Sequence, residues 1–268
     1  MTVDGRYVWL YAVTEAGAEF PADSVTGVGG EAVRPVRVAE LTAIVSDVSQ
    51  LEFGEAALRR NLEDLDWLEK TAREHHAVIE AVAGQGPVVP MRLATVYDSD
   101  AGLVGTVEER AADLHRALSR VRACHEWGVR AYVSEPAASP AATAEAEHGS
   151  DDRSSSPGAA YLQRRRTELN ARETARREAA SSAQTVHDEL SRVTTDARLY
   201  PPQSPELTGQ SAPMVLNAAY LVVDDRTAEF RDQVTALARR HQSLQLTLTG
   251  PWPAYSFVGD ANAEDDSD

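Results

Sequence analysis

The sequence predicts an α+β protein of two domains. Three observations carry that prediction. Short apolar runs rich in β-branched and aromatic residues alternate with longer segments whose apolar positions recur every three and four residues. A stretch of mostly Ala, Ser, Pro and Gly from 134 to 157 divides these elements into two groups. At 268 residues the chain can support one large core or two small ones.

RYVWLYAV, at 6–13, opens the first group as a strand. The segment 32–48 gives one or two more, with LTAIVSDV as its apolar half. The TGVGGE stretch before it is a glycine-rich loop. It has no following Lys-Ser or Lys-Thr and opens no helix, so it is not a phosphate cradle. From Glu55 to Ala83 one helix is expected, with the stripe Leu58, Leu62, Leu65, Leu68, Ala72, His76, Ile79 and Val82. Gly84 and Gly86 end it. PVVPMRLATVY, at 87–97, is a nearly continuous apolar strand interrupted by Pro90, with Arg92 in its middle. Ser99 or Asp100 caps a helix running to about Ala123.

The second group starts with WGVRAYV, at 127–133, as a strand. Segment 134–158 is expected to be a disordered insertion, because it offers too little apolar surface to offset the entropy of ordering. A long helix follows from Ala159 to about Arg198. Its second half carries heptad-like spacing at Ala179, Ala183, Val186, Leu190, Val193 and Ala197, and its first half interleaves arginines with glutamates. A strand at 215–223, a helix at 227–241 and a final strand at 244–257 complete the chain. The expected domains are 1–124, ferredoxin-like, and 125–258, a related βαβαβ sandwich with a long helix. The acidic tail 259–268 is expected to be disordered.

Bulk properties bound the function. The formal charge of −16 disfavours nucleic-acid binding, which needs clustered Lys and Arg. No apolar run approaches the roughly 20 residues that span a bilayer. The start, MTVDGRYVWLYAV, lacks the basic lead of a signal peptide, so a cytoplasmic location is expected. The single cysteine, Cys124, permits no internal disulfide and reads as a small half-buried apolar residue.

Motifs for catalysis are missing from the sequence: it contains no GxSxG, P-loop, strand-following GxGxxG or CxxC. His75 and His76 point about 100° apart on a helix and cannot chelate one metal together. His76, on the apolar stripe, is expected to be a satisfied core histidine. Arg92 either reaches an edge, pairs with a buried acid or belongs to a binding surface. No cofactor or metal is expected.

The last strand ends oddly, as TLTGPWPAYSFV. Gly250, Pro251 and Pro253 break it, while Trp252, Tyr255 and Phe257 crowd the break with aromatic rings. Prolines confine this stretch to a bend or an edge. The aromatics either plug a corner or form a docking surface.

GPWPAYSF resembles the C-terminal signature of the gas vesicle protein F/L family, accessory proteins of gas vesicle assembly. YVWLYAV resembles that family's first strand. REHHAVIEAV followed by VVPMRLATVY resembles its helix and proline strand, and EWGVRAYV resembles the strand opening its second half. Where many members carry an aromatic and a glycine after the arginine, this chain has Leu93 and Ala94. The resemblance implies two α+β domains, the first ferredoxin-like, and a non-enzymatic role in the cytoplasm and gas vesicle. It implies an assembly factor and minor vesicle component that binds the main shell protein and limits its aggregation before or during nucleation. Other accessory vesicle proteins would be further partners, with neither membrane nor nucleic acid among them. Pro90, Arg92, Gly250, Pro251, Trp252, Pro253, Tyr255 and Phe257 are the candidates for structure or partner contact. The alternative is a small-molecule-binding or enzymatic domain on a ferredoxin-like scaffold, with Arg92, His76 and Tyr97 around a pocket.

Overall fold

The structure is a computed structural model that describes residues 5–17, 25–134, 157–205 and 209–259. Nearly all of the expected insertion at 134–158 and of the acidic tail at 259–268 lies outside the described residues. Helices and antiparallel sheets are mixed along the chain. The chain divides into two compact units, Met1–Glu126 with Gly250–Asp268, and Trp127–Thr249. The boundaries fall inside strands, and the segment from Gly250 onward, read from the sequence with the C-terminal half, clusters with the first unit.

In the first unit β1 (Arg6–Glu15) is central. Strands β2 (Val33–Val38) and β3 (Leu41–Ser49) form a hairpin in which Val38 faces Leu41, leaving Ala39 and Glu40 as the turn. Strands β4 (Val88–Pro90) and β5 (Val96–Tyr97) both pair antiparallel with β1, and the sheet order is β2-β3-β1-β4. The expected continuous strand at 87–97 is thus broken. Between Ala12–Pro90 and Trp9–Val96 the chain spends more residues on the β4–β5 side than on β1, so the segment 91–95 loops out. Backbone bonds from Met91 N to Tyr11 O and from Leu10 N to Thr95 O close the loop's base.

The expected helix 55–83 is instead two, α2 (Glu55–Asn61) and α3 (Leu65–Ala83), preceded by the short α1 (Gln50–Phe53). Asp64 causes the last break. Its side chain accepts from the amides of Asp66 and Trp67, an N-cap that starts a new helix. The face of α3 turned to the core carries Thr71, His75, Val78, Ile79 and Val82, so the expected stripe is rotated and Leu62 and Leu65 are exposed. Ser99 caps α4 (Asp100–Glu109), which bends at Arg110 into α5 (Ala111–Val121). Both α3 and α5 pack on β1 and β4, and β1 is buried without alternation from Val8 to Val13. A strand covered on both faces of its sheet has that pattern. Arg34 ties the edge together: it bridges Asp47 at 2.5 Å and Asp100 at 2.7 Å, joining β2 to β3 and to the start of α4.

The second unit runs β6 (Cys124–Val133), α6 (Pro157–Ser191), β7 (Asp196–Leu199), β8 (Met214–Val223), α7 (Thr227–Arg240) and β9 (Leu244–Trp252). Its sheet order is β7-β8-β6-β9. The core gathers Trp127, Val129, Ala183, Val186, Leu190, Tyr220, Phe230 and Leu237. The long helix ends earlier than expected, at Ser191. The segment read as its last turns is β7, paired antiparallel with β8 from Asp196–Leu221 to Leu199–Ala218. Ladder bonds to β8 win over local helix preference here.

Candidate functional site at the Gly250–Val258 corner

The corner belongs to the first unit, and it is built on α3. Successive histidines leave that helix in different directions. His75 points into the core. Its Nδ1 accepts the indole N–H of Trp9 at 2.9 Å, which fixes the ring proton on Nε2, 3.1 Å from the carbonyl of Met91. Burial lowers its pKa to about 4, against the backbone hydrogen bond to Met91, which raises it. The satisfied core histidine is therefore His75, not His76.

His76 faces the corner. Its Nδ1 lies 2.9 Å from the Tyr255 hydroxyl, and its ring stacks on Tyr255 at 5.9 Å and tilts against Trp252 at 5.5 Å. Its Nε2 sits 3.3 Å from a Glu80 carboxylate oxygen without the alignment of a hydrogen bond. Burial raises the Tyr255 hydroxyl well above the ordinary tyrosine pKa, and the charges of Glu80 and Glu126 push it the same way. The hydroxyl stays protonated at neutral pH, and so serves as a hydrogen-bonding tether rather than a nucleophile.

Backbone geometry sets the ring positions. Gly250, at φ 118, precedes a cis peptide bond to Pro251. The amide of Tyr255 donates to the Pro253 carbonyl and that of Phe257 to the Ala254 carbonyl, which folds the segment tightly. Glu126 clamps it: one carboxylate oxygen accepts from the Ser256 amide and the other from the Ser256 hydroxyl, each at 2.7 Å. Phe257 is fully buried, and Pro253, Ala254 and Val258 are buried with it. Trp252 differs, with 40% of its surface exposed. The three aromatics thus split into a plug, Phe257, a tethered ring, Tyr255, and an exposed ring, Trp252.

Among the other candidate residues, Pro90 is buried at the end of β4 opposite Ala12. Arg92 is exposed on the 91–95 loop, and its carbonyl accepts from the Thr95 hydroxyl. Tyr97 lies half-buried on β5 opposite Val8. The structure brings His76, Trp252 and Tyr255 together and carries Arg92 on a separate loop. Sequence reading missed Glu126 and Glu80. Glu126 had no local signal, because its partner stands 130 positions away. The phase of α3, had it been set by Thr71, Val78 and Val82, would have turned His76 outward.

The profile of the family described as "Gas vesicle synthesis protein GvpL/GvpF" matches residues 7–259. The chain belongs to this family. It is 37% identical over 259 residues to gas vesicle protein L of Streptomyces sp. (strain CB03234), covering 97% of this chain and 95% of that one. To gas vesicle protein F of the same strain it is 25% identical, over 93% of this chain and 98% of the relative. The crystal structure of GvpF from Anabaena sp. PCC7120 superposes with a TM-score of 0.64 at 18% identity, covering 94% of this chain and 96% of that one. The last match speaks for the fold alone. The family consists of gas vesicle proteins and not of known enzymes, which gives this chain a gas vesicle role. No described helix is long and apolar enough to cross a membrane.

Proposed function

We propose that this protein is a gas vesicle assembly factor and minor vesicle component that binds the main shell protein and limits its aggregation before or during nucleation. It works without catalysis, in the cytoplasm and at the vesicle, alongside other accessory proteins. The observation that carries the proposal is the family match across residues 7–259. The higher identity to an L protein than to an F protein of one strain supports an L-type assignment.

Physical chemistry supports the same reading. Shell subunits that enclose gas need a strongly apolar face, and such a face in water is an aggregation hazard. A soluble partner must expose a small apolar contact on a surface that otherwise repels copies of itself. Trp252, held at the corner by buried neighbours, is such a contact, and the net charge of −16 supplies the repulsion. For the architecture we propose two domains, and we assign the ferredoxin-like one to the second unit. Its β-α-β-β-α-β order supports that assignment, whereas the first unit runs β-β-β-α-β-β-α when its contiguous helices are counted once.

Co-expression with shell protein tests the function. The soluble fraction of shell protein should rise with the intact chain and fall back with Trp252→Ala, whose circular dichroism should be unchanged. Phe257→Ala should instead lose folding, at a cost of about 3–5 kcal/mol. Shell protein that pellets equally with and without this chain would sink the proposal.

A further inference from the structure

His76 and Glu80 stand four positions apart on α3, so their side chains are neighbours on one face of the helix. The imidazole Nε2 and a carboxylate oxygen of Glu80 lie 3.3 Å apart. That nitrogen is buried and makes no hydrogen bond, to the carboxylate or to any other group. Native structures rarely leave a buried polar atom in this condition. Neither neutral tautomer relieves it. A hydrogen on Nε2 is buried without an acceptor. A hydrogen on Nδ1, donated to the Tyr255 hydroxyl 2.9 Å away, leaves a lone pair on Nε2 beside a carboxylate. Both facing atoms then offer electron pairs, and a cation between them satisfies both.

We infer that His76 and Glu80 form a binding site for a divalent metal ion of the zinc class. Zinc bonds imidazole nitrogen at about 2.0–2.1 Å and carboxylate oxygen at about 2.0–2.2 Å, with tetrahedral geometry. Two such bonds at the tetrahedral angle set the nitrogen and the oxygen about 3.4 Å apart. The separation here is 3.3 Å. Tetrahedral bonding also needs the oxygen to stand off the axis of the nitrogen lone pair, and the lack of hydrogen-bond alignment agrees with that. Tyr255 supplies the outer contact that metal-bound imidazoles carry. By accepting the Nδ1 hydrogen it fixes the tautomer and leaves Nε2 free to bond the ion. Stacking on Tyr255 and the tilted ring of Trp252 hold the imidazole in place. One imidazole with one carboxylate suits zinc, whereas magnesium and calcium take oxygen ligands alone. Among the described residues no group of three such donors exists, so water completes the coordination and binding is micromolar rather than nanomolar. The inference goes beyond the proposed assembly role and does not depend on it. An ion here locks the ring against which Trp252 and Tyr255 rest.

Titration of the full chain with zinc chloride provides the test, followed by the nitrogen NMR shifts of the imidazoles. Zinc should move the His76 Nε2 resonance with a dissociation constant below about 100 μM. Magnesium chloride at the same concentrations should leave it in place. Glu80→Gln should weaken zinc binding at His76 at least about tenfold, and His76→Gln should remove the calorimetric signal that the parent has and the glutamine variant at position 80 lacks. The Glu80 side chain is 55% exposed, so Glu80→Gln should keep the parent's circular dichroism and carries the test even where a His76 variant does not fold. Three results would overturn the inference: a His76 Nε2 resonance unmoved by zinc at about 1 mM, equal zinc affinity at His76 in the parent and Glu80→Gln, or a zinc-dependent shift at His76 Nδ1 in place of Nε2. Zinc taken up elsewhere on this acidic chain would show as binding that leaves the His76 resonances unmoved, which is the first of these.

Discussion

At the scale of single residues the first unit is stitched by buried polar atoms that local sequence does not advertise. Tyr11 is the clearest: its hydroxyl donates to Ser46 and accepts the Val28 amide, and burial pushes its pKa up to about 12. A Cβ on Gly27 would lie 2.3 Å from that hydroxyl, so the glycine is required by close approach. His75 has a consequence for acid stability. Its folded pKa of about 4 lies below the ordinary value of 6.5, so the unfolded chain binds the extra proton. Stability from this group is complete above pH 6.5 and is lost as pH falls toward 4, by up to roughly 3 kcal/mol. Denaturant midpoints across that window should therefore fall less steeply for His75→Gln, whose carbonyl can still accept from Trp9. Parallel slopes would refute the assignment. Ala94 gives a second prediction. It holds φ 67 in the 91–95 loop, at the position where the family resemblance places glycine. Ala94→Gly should relieve left-handed strain and raise stability by about 0.5 kcal/mol, visible as a higher melting temperature.

Whole elements divided sharply in how far the sequence revealed them. β1, β3 and β8 were legible because runs such as YVWLYAV and LTAIVSDV have few alternatives to a buried strand. β7 was not legible: Asp196, Ala197 and Arg198 carry no strand preference, and the strand exists because β8 offers it a ladder. The gap in the β4–β5 strand was equally hidden, since the loop is set by where β1 resumes pairing. Helix boundaries followed capping chemistry, and the Asp64 cap was readable only after Leu62 and Leu65 were seen to face water. The candidate corner was legible in its residues, GPWPAYSF, but not in its partners, which sit on α3 and at Glu126. At this scale the expected result is that Asp64→Ala costs about 1 kcal/mol and frays the first turn of α3. Hydrogen exchange should show that loss at Asp66–Leu68 with the C-terminal turns of α3 still protected. Uniform loss of protection along α3 would contradict an N-cap role.

Across the molecule, the decisive feature is that the first unit is assembled from both ends of the described chain. Gly250–Val258 contributes Phe257 to the buried residues, Tyr255 to the core formed with Trp9, Ile79 and Val82, and Ser256 to the Glu126 clamp. The second unit is an insertion, with its own core from α6, β8 and α7. Truncation after Thr249 should therefore damage the unit most distant in sequence from the cut. Removing Phe257 alone leaves a cavity worth about 3–5 kcal/mol, and losing the Ser256 clamp strands the Glu126 carboxylate without two of its hydrogen bonds. Such a loss is a large share of the stability of a domain this size, typically about 5–15 kcal/mol. Hydrogen exchange read by segment should then show β1 and α3 losing protection while α7 and β8 keep theirs. Equal loss in both units would mean that the C-terminal corner supports the whole chain, and loss confined to β9 would mean that the corner is an ornament of the last strand.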